Sequence, residues 1–162
     1  MRMGAALLFV QTTEQLIRFC MTWVLQKDGP LTLEKLENQT RKEHLKTLGY
    51  FLNELRKRAD LDENFDVLLE EFLEERNILV HSLDDIPGWS LQTTAGRKIA
   101  GAFVDGFIRK TVEVMKVFMG LISSWQEQAN IDISVPGANE LFAEIDTDYK
   151  SLVDELFFEK GS

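Results

Sequence analysis

Glu70-Glu71-Phe72-Leu73-Glu74-Glu75-Arg76-Asn77-Ile78-Leu79-Val80-His81 interleaves charged and apolar residues at the spacing of a helix rather than a strand. At ~100° per residue, Glu70, Glu74, Asn77 and His81 fall within a stripe about 60° wide. Leu61, Phe65, Leu68, Phe72, Leu79 and Leu83 gather on the opposite face as the expected core side. Arg76 projects from the flank of that apolar side, between Leu73 and Val80. An unpaired guanidinium is costly there, so Arg76 calls for a carboxylate, a phosphate or a subunit boundary.

Outward from this segment, prolines occur only at Pro30, Pro87 and Pro136, each in a turn-like context beside glycine. The stretches between them carry helical spacing. A first helix is expected over about Met3 to Gln26, with Leu7, Val10, Leu16, Phe19, Trp23 and Val24 facing the core. A second starts after Thr32, whose hydroxyl is a suitable N-cap, and runs to about Ala59 with a bend at Gly49. The third is capped by Asp62 and runs to about Ser82; the fourth starts from Thr93 or Thr94 and ends near Gln128. A shorter acidic helix, about Ala138 to Phe158, closes the chain. The expected fold is all-α, an antiparallel bundle of four to five helices. Residues 1–129 form the bundle, and residues 130–162 are an acidic C-terminal extension packed on the same domain. Ile131-Asp132-Ile133-Ser134-Val135 is too short to carry a sheet. Gly96, Gly101, Gly106 and Gly120 in the fourth helix are read as close-packing positions, since no strand precedes them and no Gly-Lys-Ser/Thr follows.

The chain has 162 residues and a formal charge of −9, with 27 acidic and 18 basic side chains. That sign argues against coating nucleic acid by bulk electrostatics. The tail from Asn130 holds eight of the acids and two of the bases, so the body is closer to neutral. No apolar run approaches the roughly 18 residues of a membrane span, and the apolar start breaks at Gln11-Thr12-Thr13-Glu14-Gln15 without a cleavage site. A single cysteine, Cys20, excludes an internal disulfide and fits a reducing cytosol, so a cytoplasmic location is expected without a membrane partner.

Few residues can do chemistry. Only His44 and His81 are histidines, and His44 lies among Arg41, Lys42, Glu43 and Lys46 as a solvated residue. Neither histidine has a glutamate three positions before it, which disfavours a di-iron bundle. No metal or cofactor is expected. Cys20 reads as inert core. Trp23 and Trp125 fall at core spacing, whereas Trp89, beside Pro87-Gly88, is the better exposed aromatic.

Arg76-Asn77-Ile78-Leu79-Val80-His81 resembles the Arg-polar-xxx-His signature of HEPN domains, late in the third long helix of a bundle and followed by a loop and another long helix. The resemblance covers three positions as motif and about residues 3 to 128 as architecture. It implies a metal-independent endoribonuclease, of toxin or defence type, acting on RNA at a homodimer cleft. In that scheme Arg76 holds the scissile phosphate, and His81 acts as base on the ribose 2′-OH or acid on the leaving oxygen. Asn77 orients one of them, and the products are a 2′,3′-cyclic phosphate and a 5′-OH. It also leaves room for a protein partner, antitoxin or regulator. Members paired with nucleotidyltransferase antitoxins often carry a tyrosine two residues after the histidine; that position here is Leu83. The alternative is a noncatalytic helical dimerisation or binding module, in which Asn77 and His81 are a surface hydrogen-bonding pair and Arg76 pairs with Glu75 or Asp84. The acidic run Glu70, Glu71, Glu74 and Glu75 repels RNA unless Arg56, Lys57 and Arg58, or Arg97 and Lys98, line the approach.

Overall fold

The computed structural model describes residues 2–25, 46–129 and 157–159, and these are mostly helical. Helix α1 spans Arg2–Phe19 and widens into a five-residue π-turn, Cys20–Val24. Helix α2 spans Leu48–Arg58, α3 Glu63–His81 and α4 Thr94–Ala129, with a short 3-10 turn at Leu83–Asp85. One departure from an all-helical chain is an antiparallel pair of short strands, β1 (Ala59–Leu61) and β2 (Phe157–Glu159). Their register sets Ala59 opposite Glu159 and Leu61 opposite Phe157. None of the helices among the described residues is long and apolar enough to cross a membrane.

The chain divides into two compact units, Met1–Glu14 with Glu63–Met115, and Gln15–Asp62 with Lys116–Ser162. In the first, the buried positions recur at alternating steps of four and three, Ala6, Val10 and Thr13 on α1 and Ala100, Val104, Phe107, Thr111 and Val114 on α4, while on α3 they run Phe65, Leu69, Phe72 and, after one skipped position, Leu79. That stepping draws one apolar seam along a helix face. Phe72 stacks on Phe107 at 5.9 Å, and Phe107 on Phe103 at 6.4 Å, joining α3 to α4. Thr13 and Thr111 enter the seam because each hydroxyl donates to a carbonyl one turn back, Phe9 and Phe107, at 2.8 Å.

The second unit is organised around the π-turn. Arg58 donates through Nη1 to the carbonyls of Met21 at 2.8 Å and Leu25 at 2.9 Å, and its Nη2 lies 3.6 Å from Glu54. Phe51, Leu52 and Leu55 are buried, as are Ile17, Cys20, Met21 and Phe118. The Cys20 thiol lies 3.6 Å from the Phe118 carbonyl, and burial pushes it well above the ordinary cysteine range. Trp23 and Trp125 flank Phe19, each ring 6.1 Å from it.

Several expectations are revised. The second helix does not run unbroken to Ala59: Lys46 and Thr47 are non-helical, and Thr47 caps α2 by accepting from the Tyr50 N–H at 3.3 Å. Its expected portion from 32 to 45 lies outside the described residues, as do His44, the segment 131–135 and the acidic helix up to 156. Phe157 and Phe158, placed in that helix, are in β2 instead. On α1, Leu7 is exposed and Leu16, Phe19, Trp23 and Val24 are half-buried; the buried stripe runs through smaller residues. On α3, Leu69 is buried where Leu61, Leu68 and Leu83 are half-buried.

Between α3 and α4 the chain turns through Ile86-Pro87-Gly88-Trp89, where the Trp89 N–H donates to Ile86 at 3.0 Å and Gly88 has φ 77°. Pro followed by a positive-φ glycine is the pattern of a type II turn. Thr93 caps α4 by accepting from the Gly96 N–H at 3.0 Å. Gly96 is a true close-packing site, since a Cβ there would lie 2.4 Å from Ser90 Cβ and 2.5 Å from its carbonyl oxygen. Gly106 is not, because a Cβ would meet only the Arg109 Nη2 at 3.9 Å. Gly96→Ala is therefore expected to cost about 1–3 kcal/mol through overpacking against backbone. Gly106→Ala should add up to about 1 kcal/mol of helix propensity. Urea unfolding of the two variants checks the opposite signs.

Candidate functional site

Helix α3 places Arg76, Asn77 and His81 in different surroundings. The seam steps from Phe65 through Leu69 and Phe72 to Leu79, and the step of four beyond Phe72 falls on Arg76. Arg76 thus occupies an apolar seam position, not merely its flank. Its Nε donates to Glu14 Oε1 on α1 at 2.8 Å, and the two side chains are only 23% and 17% exposed. Arg76 Nη1 donates to the Asn77 amide oxygen at 3.1 Å, while Nη2 has no hydrogen-bond partner among the described residues. A guanidinium carries five N–H donors in a rigid plane. Two anchors on two helices fix that plane and leave one edge uncommitted.

His81 ends α3 and is exposed, with no hydrogen bond from its imidazole among the described residues. The expected surface pair of Asn77 and His81 is not formed, since the Asn77 oxygen goes to Arg76. Neither Glu75 nor Asp84 takes Arg76; Glu14 does. Glu70, Glu74, Asn77 and His81 are all exposed along one stripe.

Lys110 on α4 moderates the acidic run. Its ammonium lies 2.7 Å from both Glu71 and Glu75, one helical turn apart. Burial pulls the Lys110 pKa down, but the hydrogen bonds and charges of Glu71 and Glu75 outweigh it and the net shift is upward. Of the basic groups expected along the approach, Arg56, Lys57, Arg58 and Arg97 are engaged elsewhere, and Lys98 is exposed. Arg97 donates to the carbonyls of Leu91 at 3.1 Å and Gln92 at 3.2 Å, holding the loop before α4. In the second unit Lys57 bonds Glu54 at 2.7 Å, and that hydrogen bond holds the Glu54 carboxyl below its usual range. Trp89 is half-buried in its turn. No group of three or more His, Cys, Asp or Glu able to hold a metal ion occurs among the described residues.

Two members of this constellation escaped the sequence reading, Glu14 and Lys110. Glu14 is the sole acid of α1, which was the available signal. No family model, no curated protein and no solved structure matches the chain.

Lys110→Met keeps the aliphatic stem and removes the charge, leaving Glu71 and Glu75 to repel each other. A loss of about 1 kcal/mol at neutral pH is expected for so partly exposed a cluster. The Lys110 pKa is raised in the folded state, so its contribution is complete below the ordinary lysine value of 10.5 and disappears as pH climbs through the higher folded value. The stability difference between wild type and Lys110→Met, followed by urea denaturation, should therefore be flat to about pH 10 and shrink above it.

Proposed function

We propose that this chain is a metal-independent endoribonuclease of HEPN type, with Arg76, Asn77 and His81 as its site and two copies of the chain sharing a cleft. The observation that carries the reading is the Arg76 guanidinium, bonded to Asn77 and with Nη2 unbonded among the described residues, on the same helix as an exposed imidazole that has no hydrogen bond among them. His81 takes the proton from a ribose 2′-OH, and the 2′ oxygen attacks the adjacent phosphorus. The bond from phosphorus to the 5′ oxygen breaks, and the partner copy's imidazolium protonates that oxygen. A 2′,3′-cyclic phosphate and a 5′-OH result, with no net consumption of water or metal. Arg76 stabilises the charge that grows on the phosphoryl oxygens, and an imidazole suits proton transfer near neutral pH. Five residues along a helix turn Arg76 and His81 about 140° apart, which favours a site assembled from two copies over one built within a single helix. A helical-bundle architecture of HEPN type, a cytoplasmic setting and a toxin or defence role belong to the same proposal.

One observation favours a second reading, a noncatalytic helical binding module. Glu14 already compensates the Arg76 charge at 2.8 Å, as a purely structural arginine requires. The two readings separate on end-labelled single-stranded RNA incubated with the protein in EDTA. The expected result is cleavage to 2′,3′-cyclic phosphate ends that survives chelation, falling about 100-fold or more in His81→Ala. Indistinguishable wild-type and His81→Ala lanes select the binding module.

A further inference from the structure

We infer that Glu14 is a positioning residue for Arg76, holding the guanidinium by Nε so that its Nη edge is presented to a phosphodiester. The inference rests on the proposed nuclease reading and assigns Glu14 a part in it. Arg76 stands at a seam position, where a long flexible side chain otherwise follows its charge toward water. The Nε to Oε1 bond at 2.8 Å from α1 and the Nη1 to Oδ1 bond at 3.1 Å from Asn77 hold the plane from two sides. Both protons of Nη2 and one proton of Nη1 are left, and Nη2 donates from them to a phosphoryl oxygen.

A phosphate has two ways to reach this group. Approaching through Nε, it must expel Glu14 and leave a carboxylate only 17% exposed without its partner. Approaching the Nη edge, it displaces no described side chain from Nη2. The second route is the cheaper, so Glu14 stays in place while substrate is bound. Its charge then has two separable effects: the hydrogen bond fixes geometry, and the negative charge offsets part of the attraction that Arg76 exerts on RNA.

Glu14→Gln keeps the acceptor and removes the charge, whereas Glu14→Ala removes both. With single-stranded RNA as substrate, Glu14→Ala is expected to lower kcat about tenfold or more per folded molecule. Glu14→Gln should recover most of that loss while lowering KM several-fold. A merely structural glutamate would reduce melting temperature in both variants and leave both constants of the folded fraction unchanged; that outcome overturns the inference. A second readout does not depend on turnover. The Arg76 Nε–Hε cross-peak, identified by its absence in Arg76→Lys, should be protected from exchange in wild type and Glu14→Gln and lost in Glu14→Ala. Titration with inorganic phosphate should leave that protection intact; loss of protection on adding phosphate means that the anion replaces Glu14, and the inference fails. If wild type and His81→Ala both leave RNA uncut, the nuclease reading falls alone, and the phosphate titration of the Arg76 signal still decides the role of Glu14.

Discussion

One half-buried ion pair, Arg76 on Glu14, is the constraint to which the rest of the first unit answers. Two unit charges about 4 Å apart attract by about 4 kcal/mol at an effective dielectric of about 20. Withdrawing the two ions from water costs several kcal/mol each when burial is complete, and less here. The two terms are of similar size, so the pair adds little net stability. What it adds is register. Arg76 is the one charged residue in a seam otherwise made by Phe65, Leu69, Phe72 and Leu79, and Glu14 is the one acid on α1. Sliding α1 by a turn against α3 would leave both charges half-buried and unmatched, whereas an all-apolar seam would tolerate the slip far better.

The four glutamates between residues 70 and 75 of α3 crowd one stretch of the helix, and such a run calls for compensation. Lys110 supplies it for Glu71 and Glu75 from α4. Glu70 and Glu74 sit on the exposed stripe, where water screens them. The result is a helix with three charge environments along its circumference. One is matched in the seam, one is clamped at the α4 side, and one is the exposed stripe that ends at His81.

This layering explains what could be read from the sequence. Helix α3 was legible nearly to its ends, because its apolar residues are large and its charges dense; the demand of Arg76 for a carboxylate, a phosphate or a subunit boundary followed from its position, and the structure supplies the first. The identity of that carboxylate did not, since Glu14 lies 62 residues away along the chain and only packing brings it near. The core face of α1 was misread for a related reason. Ala6, Thr13 and Cys20 are small or weakly apolar yet fully buried, while Leu7 and Leu8 are 40% and 64% exposed. Hydropathy ranks side chains, but the seam selects for fit, and Thr13 qualifies because its hydroxyl is already satisfied within the helix. The strand pair was invisible for the same cause as Glu14: β1 and β2 meet across nearly a hundred residues, and neither three-residue strand has a pattern of its own.

The sign of the local field bears on how RNA could be recognised at all. Charges separated by more than the Debye length, about 8 Å at physiological ionic strength, are largely screened at the surface. The overall −9 therefore matters less than the immediate set. That set contains a neutralised Arg76–Glu14 pair, a Lys110 shared by two glutamates, and an exposed Glu74. It is net negative. A site of this sign cannot gather a polyanion by counterion release, which needs many unpaired cations along the backbone. Under the proposed nuclease reading, recognition of a phosphodiester would have to come from directed hydrogen bonds at one phosphate, where a fixed guanidinium edge gains most and diffuse positive charge gains least. If the proposed reading holds, the two hydrogen bonds from Arg76 to Glu14 and Asn77 are the physical condition on which it rests.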